Sequence, residues 1–565
     1  MADESHVIRG INWRETFPFT HIFRSFRVAI HPSKIALGVA LLLTVYVGGR
    51  VLDTFWGPRT SAVPDELAAY DRWSSARPPE GRVKFSEVRD GLRKTVDQNY
   101  AQMLIRFEVE KDAGKAAEMA KTAQLAPEVR RKIRAERDKA LETAKKNHDD
   151  AVKALDEQFK DKPKEKADAL KQLEERYAKQ VKGIYATAGR ELEQVRQARG
   201  VGVFETWFDY QAQTLGLIVD GVMSGTWLAP NGVIQSLIKF LTVGPTWAMT
   251  QHTSYFVVFM VIFLAAWALF GGAICRIAAL HIAREEGLSY QSALRFSLAK
   301  FIPFFLTPII PLLFVLGIGL FVTLGGLLAN AMGFGAILVG LLLFLALAAG
   351  FLMTITLLGT AGGFNLMYPT IAVEGSDSFD AISRSVSYVY ARPWRMAFYS
   401  VVMIIYGAIT FLFVRLFVYV TLYLTHAFAG WAVWVKAADG SNRFEAMWPT
   451  PQLWSLPFKI NSEVLTGTQY VGAILIAFWA YLLIAAMGAY LISYYFSAST
   501  VIFYLMRQEV DATEMEDVYV EAPDEPFMEP APLMSTPVAA MQTAAYPAIE
   551  PPPQSPPSNQ PPTQG

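Results

Sequence analysis

A single cysteine, Cys275, stands in the 565 residues. It can close no intramolecular disulfide, so any part outside the cytoplasm must fold without that staple. Inside its apolar run it reads as a small buried hydrophobe. Histidine is scarce as well. The seven (His6, His21, His31, His148, His252, His281, His426) show neither H-x3-H nor HExxH spacing, which gives no basis for a histidine-held metal. Walker loops, nucleophile elbows and dinucleotide fingerprints in a strand–turn–helix setting are missing too. The GxG at Gly317–Gly319 lies within an apolar run and reads as packing. Lys plus Arg equals Asp plus Glu at 51 each, so there is no net positive field for nucleic acid. No cofactor is expected, and a membrane enzyme ranks last among the readings.

Apolar residues are plentiful, at 52% against 18% charged. About 29 of the 51 Lys and Arg fall between Arg82 and Arg199, so one block is soluble and the rest faces lipid. Six apolar runs reach the roughly 18–20 residues needed to cross a bilayer. They are about Ile35–Leu52, Ser254–Ile277, Phe301–Leu328, Phe334–Leu366, Ala397–Tyr423 and Tyr470–Leu505. Pro303, Pro308 and Pro311 predict a kink where the third begins. Gly317, Gly319, Gly325, Gly326, Gly335, Gly340, Gly359, Gly362 and Gly363 predict close helix–helix contacts.

Residues 1–34 alternate aromatic and basic positions (Trp13, Phe17, Phe19, Phe23 and Phe26 against Arg14, Arg24, Arg27 and Lys34), the pattern of an interfacial amphipathic helix. Residues 35–52 form an uncleaved anchor, with no A-x-A cleavage pattern. Residues 53–202 open with Gly57-Pro58, Pro64 and Pro78-Pro79, which mark a linker. Helices are then predicted over Phe85–Ala123, Pro127–Lys160 and Lys164–Arg199. In the last, Leu170, Leu173, Tyr177, Val181, Ile184, Ala188, Leu192 and Val195 recur at three- and four-residue steps. That is the seam of a coiled coil or helical hairpin, with Pro163 as the reversal. The middle helix has a weaker seam, because Arg137, Ala140, Ala144 and Asn147 separate Ile133 from Leu155; one long helix interrupted at Pro163 is the alternative. Residues 203–253 mix Trp207, Phe208, Tyr210, Trp227 and Trp247 with Asp209 and Asp220 and read as an interfacial segment. Residues 254–506 hold five spans, and the acidic, proline-rich 507–565 has the composition of a disordered tail.

Short connectors set orientation. Arg9, Arg14, Arg24, Arg27 and Lys34 precede the first span. Arg276, Arg284, Arg295 and Lys300 follow the second, Arg384, Arg392 and Arg395 the fourth, and Arg507 the sixth. With six spans all fall on one face, so both termini are expected in the cytoplasm and residues about 53–253 outside it. Arg415 interrupts a span roughly 27 Å from its start at 1.5 Å per residue and is expected to snorkel to headgroups.

A polar stretch recurs. Glu286-Gly287, Ala293-Leu294 and Ser297 precede Glu374-Gly375, Ala381-Ile382 and Ser385 by about 88 positions. In the second copy Gly375 can end one helix, Ser376 or Ser378 can cap the next, and Arg384 and Arg392 can reach lipid phosphates. The pattern Ala372-x-Glu374-Gly375-x4-Asp380-Ala381-Ile382-Ser383-Arg384-Ser385-x2-Tyr388-Val389 resembles the repeat of a broad class of bacterial polytopic membrane proteins. It is similar to the membrane domain that accompanies some glycerophosphodiester phosphodiesterases. The resemblance covers roughly Ser254–Leu505 and implies a cytoplasmic amphipathic helix between spans. It transfers no hydrolase activity, since the phosphodiesterase barrel has no counterpart here. In the first copy Phe296 replaces the arginine that matches Arg384.

Together these readings give an all-α, six-span transmembrane bundle with an extracytoplasmic helical hairpin or coiled-coil insertion. The expected function is scaffolding or assembly in the bacterial inner membrane. Its partners would be the lipid bilayer and a protein, or a second copy, met through the helical arm. A transporter or lipid-binding protein is the alternative. A periplasm-sensitive reporter fused after Lys182 is expected to be active; a cytoplasmic signal there overturns the topology.

Overall fold

The computed structural model describes residues 17–56, 60–75, 84–160, 162–327, 330, 334–460 and 462–519. Arg9, Trp13, Arg14, Gly57-Pro58, Pro78-Pro79, Asp161, Leu328 and the tail from residue 520 onward lie outside them. Among the described residues the secondary structure is helical, with two isolated bridges, Ala62 to Val201 and Lys436 to Asn442.

A 3-10 turn, Pro18–Arg24, and α1 (Ser25–Ala29) precede α2 (Pro32–Phe55). Proline in the first turn of α2 costs no hydrogen bond, because that amide has no intrahelical partner. Next come α3 (Glu66–Ser75), α4 (Phe85–Arg106), α5 (Ala113–Ala120), α6 (Ala126–Gln158) and α7 (Pro163–Ala198). The helix expected over Phe85–Ala123 is thus two. Glu108 takes a left-handed φ of 51° after α4, and the Asp112 side chain caps α5 by accepting from the amides of Gly114 and Lys115.

Helices α6 and α7 lie side by side and antiparallel. Arg137 sits 5.5 Å over the Tyr185 ring, His148 lies 4.4 Å from the Tyr177 ring, and Asp156 is 3.1 Å from Lys166, so pairing closes in steadily toward the reversal. Two packed helices, not one long one, form the arm. Leu170, Leu173, Tyr177, Val181, Ile184, Leu192 and Val195 are all buried or half-buried. In the α6 seam the inward position falls to His148, while Asn147 is exposed. Val129 and Ile133 of α6 join Val195 of α7 and Tyr100, Leu104 and Phe107 of α4 in one core. The seam is therefore filled from within the chain. Arg137, a polar intrusion in that seam, leaves it to meet Glu463 at 2.9 Å, where Arg134 also arrives at 2.8 Å. The arm is pinned in this way to the connection before the last span.

Residues 203–253 are two helices, α8 (Val203–Ser224) and α9 (Val233–Gln251). Trp207 and Trp247 are buried against Tyr255 and Phe259, while Phe208, Leu217, Trp227, Leu228, Ile238 and Leu241 are exposed. One apolar face packs within the chain and the other stands exposed.

The remaining helices are α10 (Thr253–Arg284), α11 (Tyr290–Ala299), α12 (Phe301–Leu306), α13 (Ile310–Leu327), α14 (Gly335–Glu374), α15 (Ser378–Ala391), α16 (Pro393–Trp431), α17 (Arg443–Met447) and α18 (Gly467–Asp511). Six of the helices, α2, α10, α13, α14, α16 and α18, are long and apolar enough to cross a membrane. The chain is a multi-pass helical membrane protein. The expected kink at Pro303–Pro311 is a full break, since α12 ends at Leu306 and α13 begins at Ile310. Helix α10 carries a π-helical turn at Trp267–Gly271.

Glycine packing divides in two. A Cβ on Gly359, Gly362 or Gly363 would come within 2.7–3.0 Å of Val386, Val389 or Ser385, so these glycines admit the valine side chains and, at Gly363, the backbone of α15 against α14. Around Gly317, Gly325, Gly326 and Gly340 there is open space. The helix contacts expected at those four do not occur within the described residues. Cys275 is fully buried, as expected of a small apolar side chain.

Where the arm joins the bundle, Glu66 is 0% exposed. Its Oε2 accepts from the Val63 amide at 2.8 Å, and its Oε1 lies 3.2 Å from Trp247 Nε1, 3.3 Å from His252 Nε2 and 3.2 Å from Arg89 Nε. Burial alone would raise this carboxyl, but the His252 and Val63 hydrogen bonds, with the Arg89 charge, bring it below its ordinary value of 4.5. A lowered carboxyl adds stability above its unfolded pKa and loses it as pH falls through the folded one. Melting of the purified protein should therefore weaken as pH drops below 4.5. Glu66→Gln should cost about 2 kcal/mol at neutral pH and show a shallower acid limb; parallel acid limbs in the two proteins would refute the assignment.

Candidate functional site at the end of α14

Helix α14 ends at Glu374, where Gly375 takes φ 65°, the left-handed C-cap expected of it. The last carbonyls of a helix have no partner within it and carry its partial negative charge. Here two of them, and the Gly375 carbonyl just beyond, are met from far along the chain. Arg276 Nη1 of α10 donates to Ala372 O at 2.8 Å, the Tyr519 amide to Val373 O at 2.7 Å, and Lys300 Nζ to Gly375 O at 2.5 Å. Arg276 also donates to Tyr519 O at 2.8 Å and stands 4.4 Å over the Phe296 ring of α11. Its guanidinium supplies donors in two directions at once, which a lysine could not do with the same planarity.

Glu374 Oε1 joins the α14 end to its surroundings. It lies 3.0 Å from Arg384 Nη1 of α15 and 3.4 Å from Arg507 Nε of α18. Arg384 pairs further with Asp380 at 3.1 Å, one helical turn away. The Asp380 hydrogen bond, helped by the Glu374 charge, holds the Arg384 guanidinium above its ordinary pKa. Arg507 closes on Asp517 at 2.7 Å. Residues 512–519 are thus strapped across the end of α14, and the Tyr519 ring lies over Gly375, where a Cβ would meet it at 2.7 Å. Tyr388 of α15 hydrogen-bonds Asp511, while Arg395 and Tyr399 of α16 hold Glu509 at 2.6 and 2.5 Å. Burial first, then the Asp511 bond, lifts the Tyr388 phenol above its usual range.

The cap of α15 is Asp377, whose side chain accepts from the Asp380 amide, rather than Ser376 or Ser378. Ser378 donates instead to Pro303 O at 3.2 Å. Ser289, 88 positions before Asp377, caps α11 by accepting from the Ser292 amide. Ala293 and Ala381, and Ser297 and Ser385, are fully buried at matching positions. Ser297 Oγ donates to Leu269 O at 2.7 Å in the π-helical turn, and Ser385 Oγ meets Thr370 Oγ1 at 3.3 Å. The likeness between the two stretches stops at Glu286 and Gly287. Both are exposed, and the left-handed residue ending α10 is Glu285, φ 56°, two places before Gly287. Glu285 pairs with Arg24 at 3.0 Å. Arg392 is exposed at the start of α16.

Arg415 departs furthest from expectation. It is 4% exposed, and its guanidinium donates to Leu453 O at 3.0 Å and Trp454 O at 2.9 Å. His426, three turns on, donates to Trp448 O at 3.0 Å. Arg415 does not snorkel; it supplies the hydrogen bonds that non-helical backbone needs beside the spans. Of the predicted positions, Glu374, Gly375, Asp380 and Arg384 come together, whereas Glu286, Gly287, Arg392 and Arg415 stand apart from them.

No family model, curated protein or solved structure matches this chain.

The sequence marked Arg276, Lys300 and Arg507 only as signs of sidedness, whereas Arg276 and Lys300 act as caps and Arg507 ties Glu374 to Asp517. The signal available was position: each lies near the end of an apolar run, where another helix also ends. Chemically, the cluster pairs every guanidinium with a carboxylate or carbonyl, and among the described residues no group of three His, Cys, Asp or Glu is placed to hold a metal. Its capacity is mechanical, to lock three spans and the strap. Gly375→Ala should cost about 1–2 kcal/mol from the left-handed backbone alone, and it should expose Tyr519 to chymotrypsin several-fold faster. Unchanged cleavage with unchanged melting would show that the strap does not rest on Gly375.

Proposed function

We propose that this protein is a non-enzymatic scaffold or assembly factor of the bacterial inner membrane, with both termini in the cytoplasm. Residues about 53–253 stand outside it, and α6–α7 form the arm that meets a protein partner or a second copy. Residues 254–505 descend from a duplicated unit, in kinship with the polytopic class whose motif they resemble. The observation that carries the reading is the anchoring of the arm. Arg134 and Arg137 both grip Glu463, and Arg137 also stacks on Tyr185, so a displacement of the arm is passed to the connection held by α16 and α18. Exposed surface pairs are worth little singly, but two arginines on one half-buried carboxylate act as a network. Hydrogen bonding to Glu463 raises the Arg134 guanidinium above its ordinary pKa, consistent with a persistent pair.

Since the apolar seam is filled by α6, the partner must meet the charged outer surface of the pair. Crosslinkers placed at Lys153 and Lys171, both exposed, should give one discrete protein adduct in cells. Arg134→Glu with Arg137→Glu should weaken that adduct at least tenfold while membrane levels hold. No adduct from either position would contradict the scaffold reading. The alternative, a lipid-handling or transport protein, draws support from one observation: Lys34, a buried amine inside the bundle with no hydrogen-bond partner.

A further inference from the structure

Lys34 lies in the first turn of α2, on the face that the helix buries, together with Leu37, Gly38 and Leu41. Gly38 abuts α18 so closely that a Cβ would stand 2.9 Å from that of Ala489, and Leu37 packs with Ile274 and Ile277 of α10. One turn below, the Lys34 side chain enters the junction of α2, α10 and α18. It is 0% exposed, and Nζ has no hydrogen-bond partner. Two further buried polar atoms of the neighbouring turns also lack partners, His31 Nδ1 and Ser497 Oγ. The His31 ring meets that of His281 edge-on at 6.0 Å, and Arg27 lies within electrostatic reach of His281.

The acids carried by the elements packed here are already engaged. Glu285 of the connector after α10 is held by Arg24 at 3.0 Å. On α18, Glu509 is held by Arg395 and Tyr399, and Asp511 by Tyr388. The neighbour within reach of Lys34 is Cys275, a thiol and so a weak hydrogen-bond partner. An ammonium buried without counter-charge costs several kcal/mol. The start of α2 adds the partial positive charge of a 24-residue helix. Arg27, His31, Lys34 and His281 therefore gather at the amino end of α2, and the acid within electrostatic reach of His281, Glu285, is already held by Arg24.

We propose that Lys34, with His31 and His281 and the amino end of α2, binds a phosphate oxyanion, carried either by the headgroup of an acidic phospholipid or by free phosphate. Lysine, histidine and a helix amino end are the groups that hold phosphate elsewhere. Basic pockets between spans recognise acidic headgroups by the same chemistry.

The test uses the full-length protein, delipidated in neutral detergent. Thermal melting is followed in nanodiscs of phosphatidylglycerol against phosphatidylcholine, and in detergent with inorganic phosphate against chloride at matched ionic strength. The proposal expects the wild type to gain several degrees with phosphatidylglycerol, with phosphate, or with both. Lys34→Met should weaken the response at least tenfold in half-saturating ligand, whereas Lys153→Met on the arm should leave it unchanged. A response to lipid alone identifies the headgroup, and a response to inorganic phosphate identifies the free anion. Should Lys34→Met fail to fold, His281→Gln is the second variant, with the same expected weakening. A wild type indifferent to both ligands overturns the proposal, as does a Lys34→Met or His281→Gln protein that responds as the wild type does.

Discussion

The end of a long apolar helix is the constraint on which this structure turns. Helix α14 runs 40 residues and leaves its last carbonyls facing inward with no amide of their own. Water or headgroups could satisfy them, but three separate pieces of chain do so instead: Arg276 from α10, Lys300 from the α11–α12 junction and the Tyr519 amide from the strap. Each charge-assisted bond contributes about 1.5–3 kcal/mol. Together they tie α10, the α11–α12 junction and the strap to the end of α14. Glu374 then gathers Arg384 and Arg507, so that α10, α14, α15 and α18 cannot shift independently.

A similar solution appears at the other end of the bundle. There Arg415 and His426 of α16 meet carbonyls of the connection that leads into α18, and Glu463 of the same connection is gripped from the arm. Arginine serves in both places because one planar guanidinium can satisfy two carbonyls while its aliphatic stem stays among apolar neighbours. The intramembrane charges of this protein are thus largely structural. Lys34 is the exception, since it has the burial of a structural residue without the partners.

Much of the fold was legible in the order of residues. Apolar runs of sufficient length announce spans whatever their neighbours do, and the stepped Leu, Val and Ile of α7 announced a buried stripe. Matched Ala and Ser positions pointed to α11 and α15, because small buried residues one turn apart are what close helix approach requires. Less was legible wherever the deciding partner is distant. Nothing near Arg415 foretells the carbonyls of Leu453 and Trp454, and the motif's own serines gave no sign that Asp377 would win the cap. Gly287 shows the limit of matching letters: it aligns with Gly375, yet the left-handed turn falls on Glu285. Lys34 was counted with the positive charges before the first span, as composition suggests, although the turn it occupies is inside the bundle.

The central claim is that residues 512–519 are held down as the cap of α14. Hydrogen exchange of the full-length protein in nanodiscs addresses it directly. The account predicts that the Tyr519 amide exchanges orders of magnitude more slowly than a free loop amide, and that Arg276→Met removes this protection while leaving that of the α16–α18 contact intact. Free-loop exchange at Tyr519 in the wild type would contradict it.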